Sequence, residues 1–178
     1  MRLKTILVLS CTLAVGSLAH AQPAKKPAKA PASGKFVAKM QCPALQPAKS
    51  YDLADKPGHS LMIGTLHCEY LQGALGGDKI SAEDDTLTSD VIGNLAHDHG
   101  YGALTTVGGA KAFVRFDGTT SLKSNGPTSA KGTWSFTGGT GTAMGVTGKG
   151  TYTVAFKADG TSTVDITGTY AMSAARKK

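Results

Sequence analysis

Three residues in a row offer the chain's densest set of chemically capable side chains: His97, Asp98 and His99. Two imidazoles flanking a carboxylate can bind a divalent cation or exchange protons near neutral pH. In an extended strand His97 and His99 share one face and Asp98 takes the other. That geometry suits a two-histidine metal site needing a third ligand, for which His59, His67 and Glu69 are candidates. The plainer reading is a polar loop after Leu95, running into Gly100-Tyr101-Gly102. Glu69 and Arg115 each stand among apolar neighbours. Facing a cavity, they could orient a ligand carboxylate or hydroxyl. On the solvent face their ion pairs would contribute little. Trp134, Phe136, Tyr152 and Phe156 are candidates to line an interior, either as packed core or as a stacking surface for a ligand.

Other chemistries lack their signatures. There is no nucleophile elbow, Walker-type loop, zinc-protease helix or CxxC pair. The glycines of residues 138–141 do not make a dinucleotide fingerprint, because Thr151-Tyr152-Thr153-Val154 after them reads as a strand and not a helix. No cofactor is called for.

The elements that must hold these residues follow from period-two alternation. Met62, Gly64, Leu66, Cys68 and Tyr70 alternate with Ile63, Thr65, His67, Glu69 and Leu71. The same pattern runs through residues 151–157 and 163–172. One apolar and one polar face mark half-buried antiparallel strands, and abundant threonine suits a pleated surface. Asp117-Gly118, Asn125-Gly126-Pro127 and Asp159-Gly160 read as turns between strands. Asp84–Leu95 is the nearest approach to a helical turn, weakened by Gly93. Many short strands pose an edge problem that barrel closure solves. The expected fold is all-β: one closed antiparallel barrel of about eight strands with little helix.

The ends have a different character. Arg2 and Lys4, the apolar stretch Ile6–Leu18 and the small-x-small triplet Ala19-His20-Ala21 read as an export signal over residues 1–21. Cys11, after Val8-Leu9-Ser10, offers lipidation as an alternative. Residues 22–50 read as a Pro/Ala/Lys-rich linker and transition, 51–175 as the barrel and 176–178 as a basic tail. Between Tyr51 and Ala175 eight basic residues face twelve acidic ones, a formal charge of −4, so the overall +7 resides in the ends. That distribution gives no ground for a nucleic-acid partner. The basic ends read as a solvated tether, with weak contact to an anionic envelope surface as the other possibility. In an exported chain Cys42 and Cys68 favour a disulfide, with two buried free thiols as the alternative.

The segment Trp134-Ser135-Phe136-Thr137-Gly138-Gly139-Thr140-Gly141, followed by Gly145-x-x-Gly148-x-Gly150-x-Tyr152, resembles a motif of small exported bacterial proteins with an allene-oxide-cyclase/dirigent-like barrel. Asp98-His99-Gly100-Tyr101 and residues 113–119 extend the likeness, which covers roughly Ser60 to Tyr170. The resemblance implies a closed barrel in the periplasm or outside the cell. Plant members cyclise an oxidised fatty acid or steer coupling of phenolic radicals, in an apolar cavity with a few polar groups. None of their catalytic residues maps onto this chain position by position. Two functions are therefore expected. The first is non-catalytic binding of a small apolar or amphipathic ligand, or a structural role in the envelope. The alternative is an isomerase or cyclase working on a lipid-derived or phenolic substrate.

Overall fold

The computed structural model describes residues 33–45 and 49–173. The expected export signal over residues 1–21, with Cys11, and the expected tail 176–178 lie outside them. Ten strands form: β1 Ser33–Cys42, β2 Lys49–Asp52, β3 His59–Gln72, β4 Ala74–Leu75, β5 Asp78–Ile92, β6 Leu95–Thr106, β7 Lys111–Lys123, β8 Gly126–Gly139, β9 Val146–Phe156 and β10 Ser162–Met172. One 3₁₀ turn, Gly141–Ala143, joins β8 to β9.

From β5 to β10 each strand pairs antiparallel with the next in sequence. β3 pairs with β5, and β1 pairs with both β10 and β3, which closes an eight-stranded barrel. The β1–β10 ladder runs through ten residue pairs, but β1 meets β3 only at Lys39, Met40 and Gln41, across a register shift. β2 pairs with the start of that β3 edge, opposite Ser60–Ile63.

The barrel begins earlier than residue 51. Ser33–Cys42 is a full wall strand whose Phe36, Ala38, Met40 and Cys42 point inward and are buried. Surrounding lysines hide this pattern in the sequence, because Lys35 and Lys39 fall on the outward parity and make the segment look like linker. Two further expectations are corrected. Asp117-Gly118 is no turn but the middle of β7, and Asp84–Leu95 is no helical turn: it is the end of β5, the tight turn Gly93-Asn94 and the first residue of β6. Asn125-Gly126 and Asp159-Gly160 do sit at hairpin turns.

β8 and β9 form a hairpin, and glycines of the barrel wall make room for interior rings. A Cβ on Gly132 would lie 2.6 Å from the Tyr152 hydroxyl, one on Gly168 2.7 Å from Trp134 Cζ2, and one on Gly100 2.2 Å from Phe116 Cζ. Inward glycine thus stands against inward aromatic ring. Phe36, Trp134 and Phe136 cluster with centroids 4.9–5.6 Å apart, in tilted and edge contacts that suit aromatic quadrupoles. With Ile80, Leu104 and Val146, all nearly inaccessible, they close the end of the barrel where β10 finishes.

Cys42 and Cys68 form a disulfide with Cα atoms 4.3 Å apart, and both are fully buried. The bridge fastens the end of β1 to β3 beside the short β1–β3 pairing. Chain-entropy arguments give about 3–4 kcal/mol for a loop of this length. The double variant C42A/C68A should therefore unfold well below wild type in thermal denaturation followed by circular dichroism, and an unchanged midpoint would contradict the role given to the bridge. Gly150→Ala should also destabilise by about 1–3 kcal/mol or more, since its Cβ would lie 1.9 Å from the Thr167 carbonyl oxygen. Gly34→Ala, where the new atom meets only Tyr170 at 3.8 Å, serves as the neutral control.

Candidate functional site

The opposite end of the barrel is hollow. A cavity of about 360 Å³ extends inward from where β1 ends and β3 begins. Its rim carries the half-buried side chains Met62, Val91, Leu122 and Phe156. Its wall is overwhelmingly apolar, with polar groups in two places.

The deeper group comes from β3 and β5. Tyr70 donates its hydroxyl to Glu83 Oε2 at 2.5 Å. Glu83 and Asp85, two residues apart on β5, both point inward, and they are only 4% and 6% exposed. Gly102 on β6 makes their room: a Cβ there would lie 2.3 Å from Asp85 Oδ1 and 2.5 Å from Glu83 Oε1. Burial pushes the Glu83 carboxyl above its ordinary range. Burial, then the adjacent Glu83 charge, pushes Asp85 well above its own. The pair is held close enough to share a proton, and such sharing is what gives Asp85 a bond to Glu83. Without it, Asp85 Oδ1 has no hydrogen-bond partner. Burial and the neighbouring Glu83 and Asp85 charges likewise keep the Tyr70 phenol firmly protonated.

The second group lies nearer the mouth. Asp98 accepts from Ser89 Oγ and from Thr120 Oγ1, each at 2.6 Å. Tyr152 comes in from β9, its hydroxyl over Gly118 and Gly132. Burial, then the Asp98 charge, raises the Tyr152 pKa and keeps this phenol neutral as well.

The residues singled out in the sequence divide between the two faces. Trp134 and Tyr152 line the cavity. The Trp134 indole N–H already donates to the Thr167 carbonyl at 3.2 Å, so that ring offers area and not a free donor. Glu69 and Arg115 are exposed on the outer face, opposite in parity to buried Tyr70 and Val114, and do not reach the cavity. His97, Asp98 and His99 lie in β6, not in a loop. The two histidines do share the outer face, but Asp98 belongs to the interior.

The outer histidines pair with carboxylates in separate places. His99 Nδ1 meets Asp117 Oδ1 at 2.7 Å, and Arg115 bonds the other oxygen of that carboxylate. The His99 bond, aided by the Arg115 charge, holds Asp117 below its usual range. His67 pairs with Asp84 at 2.6 Å, and His59 with Asp55 and Asp90. Among the described residues no three His, Cys, Asp or Glu side chains are grouped to hold a metal ion. His97 and His99 therefore gain no third ligand. His67 is level with Ala103 through Asp84, about 13 Å along the strand from His99.

Tyr70, Glu83, Asp85 and the inward role of Asp98 were missed. The available signal was parity: Glu83, Asp85, Leu87, Ser89 and Val91 alternate regularly. Two features obscured it. Asp84–Leu95 suggested a helical turn, and a register shift between Ile80 and Ala82 puts Ile80 out of phase with the acids that follow.

A carboxyl that holds its proton more tightly when folded favours the folded state at low pH. That advantage is lost as pH rises above the unfolded value. Asp85→Asn should therefore melt above wild type at pH 8, with the difference shrinking toward about pH 4, where both chains carry a neutral group. Equal midpoints at both pH values would mean that Asp85 is not held protonated. No protein-family model matches this chain, and no curated protein matches it.

Proposed function

We propose that this protein is an exported β-barrel that holds one small apolar or amphipathic molecule in its interior. The observation that carries this reading is the hollow half of the barrel, about 360 Å³ of largely apolar space with polar groups gathered inside it. A cavity of this size falls within the range of small-molecule sites. An eight-stranded barrel can instead be filled by its own side chains. A purely structural envelope module has no use for the lost packing, so the empty space favours an occupant over that role. The disulfide is compatible with an oxidising compartment. The lysine-rich segment ahead of the barrel then serves as a solvated tether, and a periplasmic or extracellular site of action follows from the export signal.

A second reading rests on a separate observation, the Tyr70–Glu83–Asp85 group. A carboxylic acid kept neutral by burial, in an apolar pocket, is equipped to donate a proton to a bound substrate. An isomerase or cyclase acting on a lipid-derived or phenolic molecule would use it in this way. The resemblance to allene-oxide-cyclase/dirigent-like barrels points in the same direction.

Native mass spectrometry of the protein purified from its own compartment tests both readings. The expected result is a retained small molecule, together with uptake of the neutral dye Nile red. Ala130 is buried in the cavity wall, so Ala130→Phe should fill the space and reduce dye affinity by about tenfold or more. A wild-type barrel that retains nothing and leaves the dye dark would return the structural role to first place. A ligand recovered chemically altered by wild type but intact from Glu83→Gln would favour the enzyme.

A further inference from the structure

We infer that the cavity selects amphiphiles with a protonated amine head and turns away carboxylates. This rests on the binding reading above and adds the chemical class of the ligand.

The titratable groups inside the barrel are all acidic. Glu83, Asp85 and Asp98 line the cavity, and among the described residues no lysine, arginine or histidine does. The basic residues of the wall strands take the outward parity: Lys39 meets Asp165 at 3.0 Å, Arg115 meets Asp117, and His67 meets Asp84. A carboxylate ligand would thus bring a further negative charge into a low-dielectric space with no counter-ion. An ammonium group brings the one charge that the interior lacks.

The acids also differ in what they still need. Asp98 is supplied with hydroxyl donors from Ser89 and Thr120. Asp85 is not: it is 6% exposed and lines the cavity, and apart from the proton it shares with Glu83 its Oδ1 has no donor. A buried acceptor without a donor is costly, and native structures seldom keep one without a reason. An ammonium carries three donors and no acceptor. Seated by Asp85, it would satisfy that oxygen with a charge-assisted bond and spare the carboxyl pair its shared proton. Phe116, Trp134 and Tyr152 supply aromatic rings in the same cavity, and ring faces attract cations. The apolar rim of Met62, Val91, Leu122 and Phe156 accommodates the hydrocarbon part of the molecule.

Calorimetric titration with octylamine, octan-1-ol and octanoate, at equal ionic strength and neutral pH, tests the inference. Octylamine should bind about tenfold more tightly than octan-1-ol, the usual advantage of a charged over a neutral hydrogen bond, and octanoate should bind most weakly. Asp85→Asn should remove most of the amine preference, read as the ratio of octylamine to octan-1-ol affinity, and Asp98→Asn should remove less. Octanoate binding as tightly as octylamine, or an amine preference that survives both variants, would overturn the inference. Octan-1-ol bound with no amine preference leaves the cavity reading intact and defeats only the head-group assignment. If neither Nile red nor any of the three compounds binds, both fall together.

Discussion

An eight-stranded barrel encloses a column of space barely wide enough for the side chains that point into it. Here several of those side chains are aromatic rings, and they fit only because the facing wall positions carry no side chain at all. Tyr152 lies over Gly118 and Gly132, Trp134 over Gly168, Phe116 over Gly100 and Phe136 over Gly148. The same matching accommodates charge, since Gly102 leaves the gap into which the Glu83 and Asp85 oxygens project. Bulk is concentrated toward one end, where Phe36, Trp134 and Phe136 pack against each other. The other end is left hollow as a direct result of that uneven filling.

The position of the acids follows two different energetic scales. The outer pairs made by His67, His99 and Arg115 are half exposed or more, with His99 and Asp117 at 45% and 47%, and pairs of that kind contribute about 0–1 kcal/mol. They decorate the wall without defining a site. Inside the barrel the same residue types are expensive, because a carboxyl removed from water must find partners or keep its proton. Glu83 and Asp85 do some of each. A protein selected for stability alone would have little reason to keep them, and groups perturbed in this way collect at functional sites.

Much of the architecture was legible. Alternation in β3, β9 and β10 gave strand type, inward face and all-β class, and Cys42 and Cys68 are joined as their pairing suggested. Legibility failed where a local cue outweighed parity. Lysines made β1 look like linker, Asp117-Gly118 mimicked a turn, and Asp84–Leu95 suggested a helical turn where β5 runs. A turn signal reports only what a dipeptide tolerates. In β7 the glycine is required by the Tyr152 ring that crosses it, a partner thirty-four positions away that no local pattern displays. Within the site, Trp134 and Tyr152 were found because aromatic residues on an apolar parity face inward. Glu69 and Arg115 carried the opposite parity, and the structure leaves them in solvent. The acids that do matter look polar in the sequence, and only the closed barrel shows which way they face.

The short contact between β1 and β3 has a consequence for the order of events during folding. Strands β5 to β10 are successive hairpins, so their contacts are local and form without waiting for distant segments. β1 must wait for β10, some hundred and thirty residues downstream, before it has its full-length partner. Until it docks, the growing sheet has two unpaired edges, β3 and β10, open to other chains. Oxidation of Cys42 and Cys68 then acts as a latch on the last gap to close. In an oxidising space that latch forms at the stage when neighbouring copies are the greatest hazard.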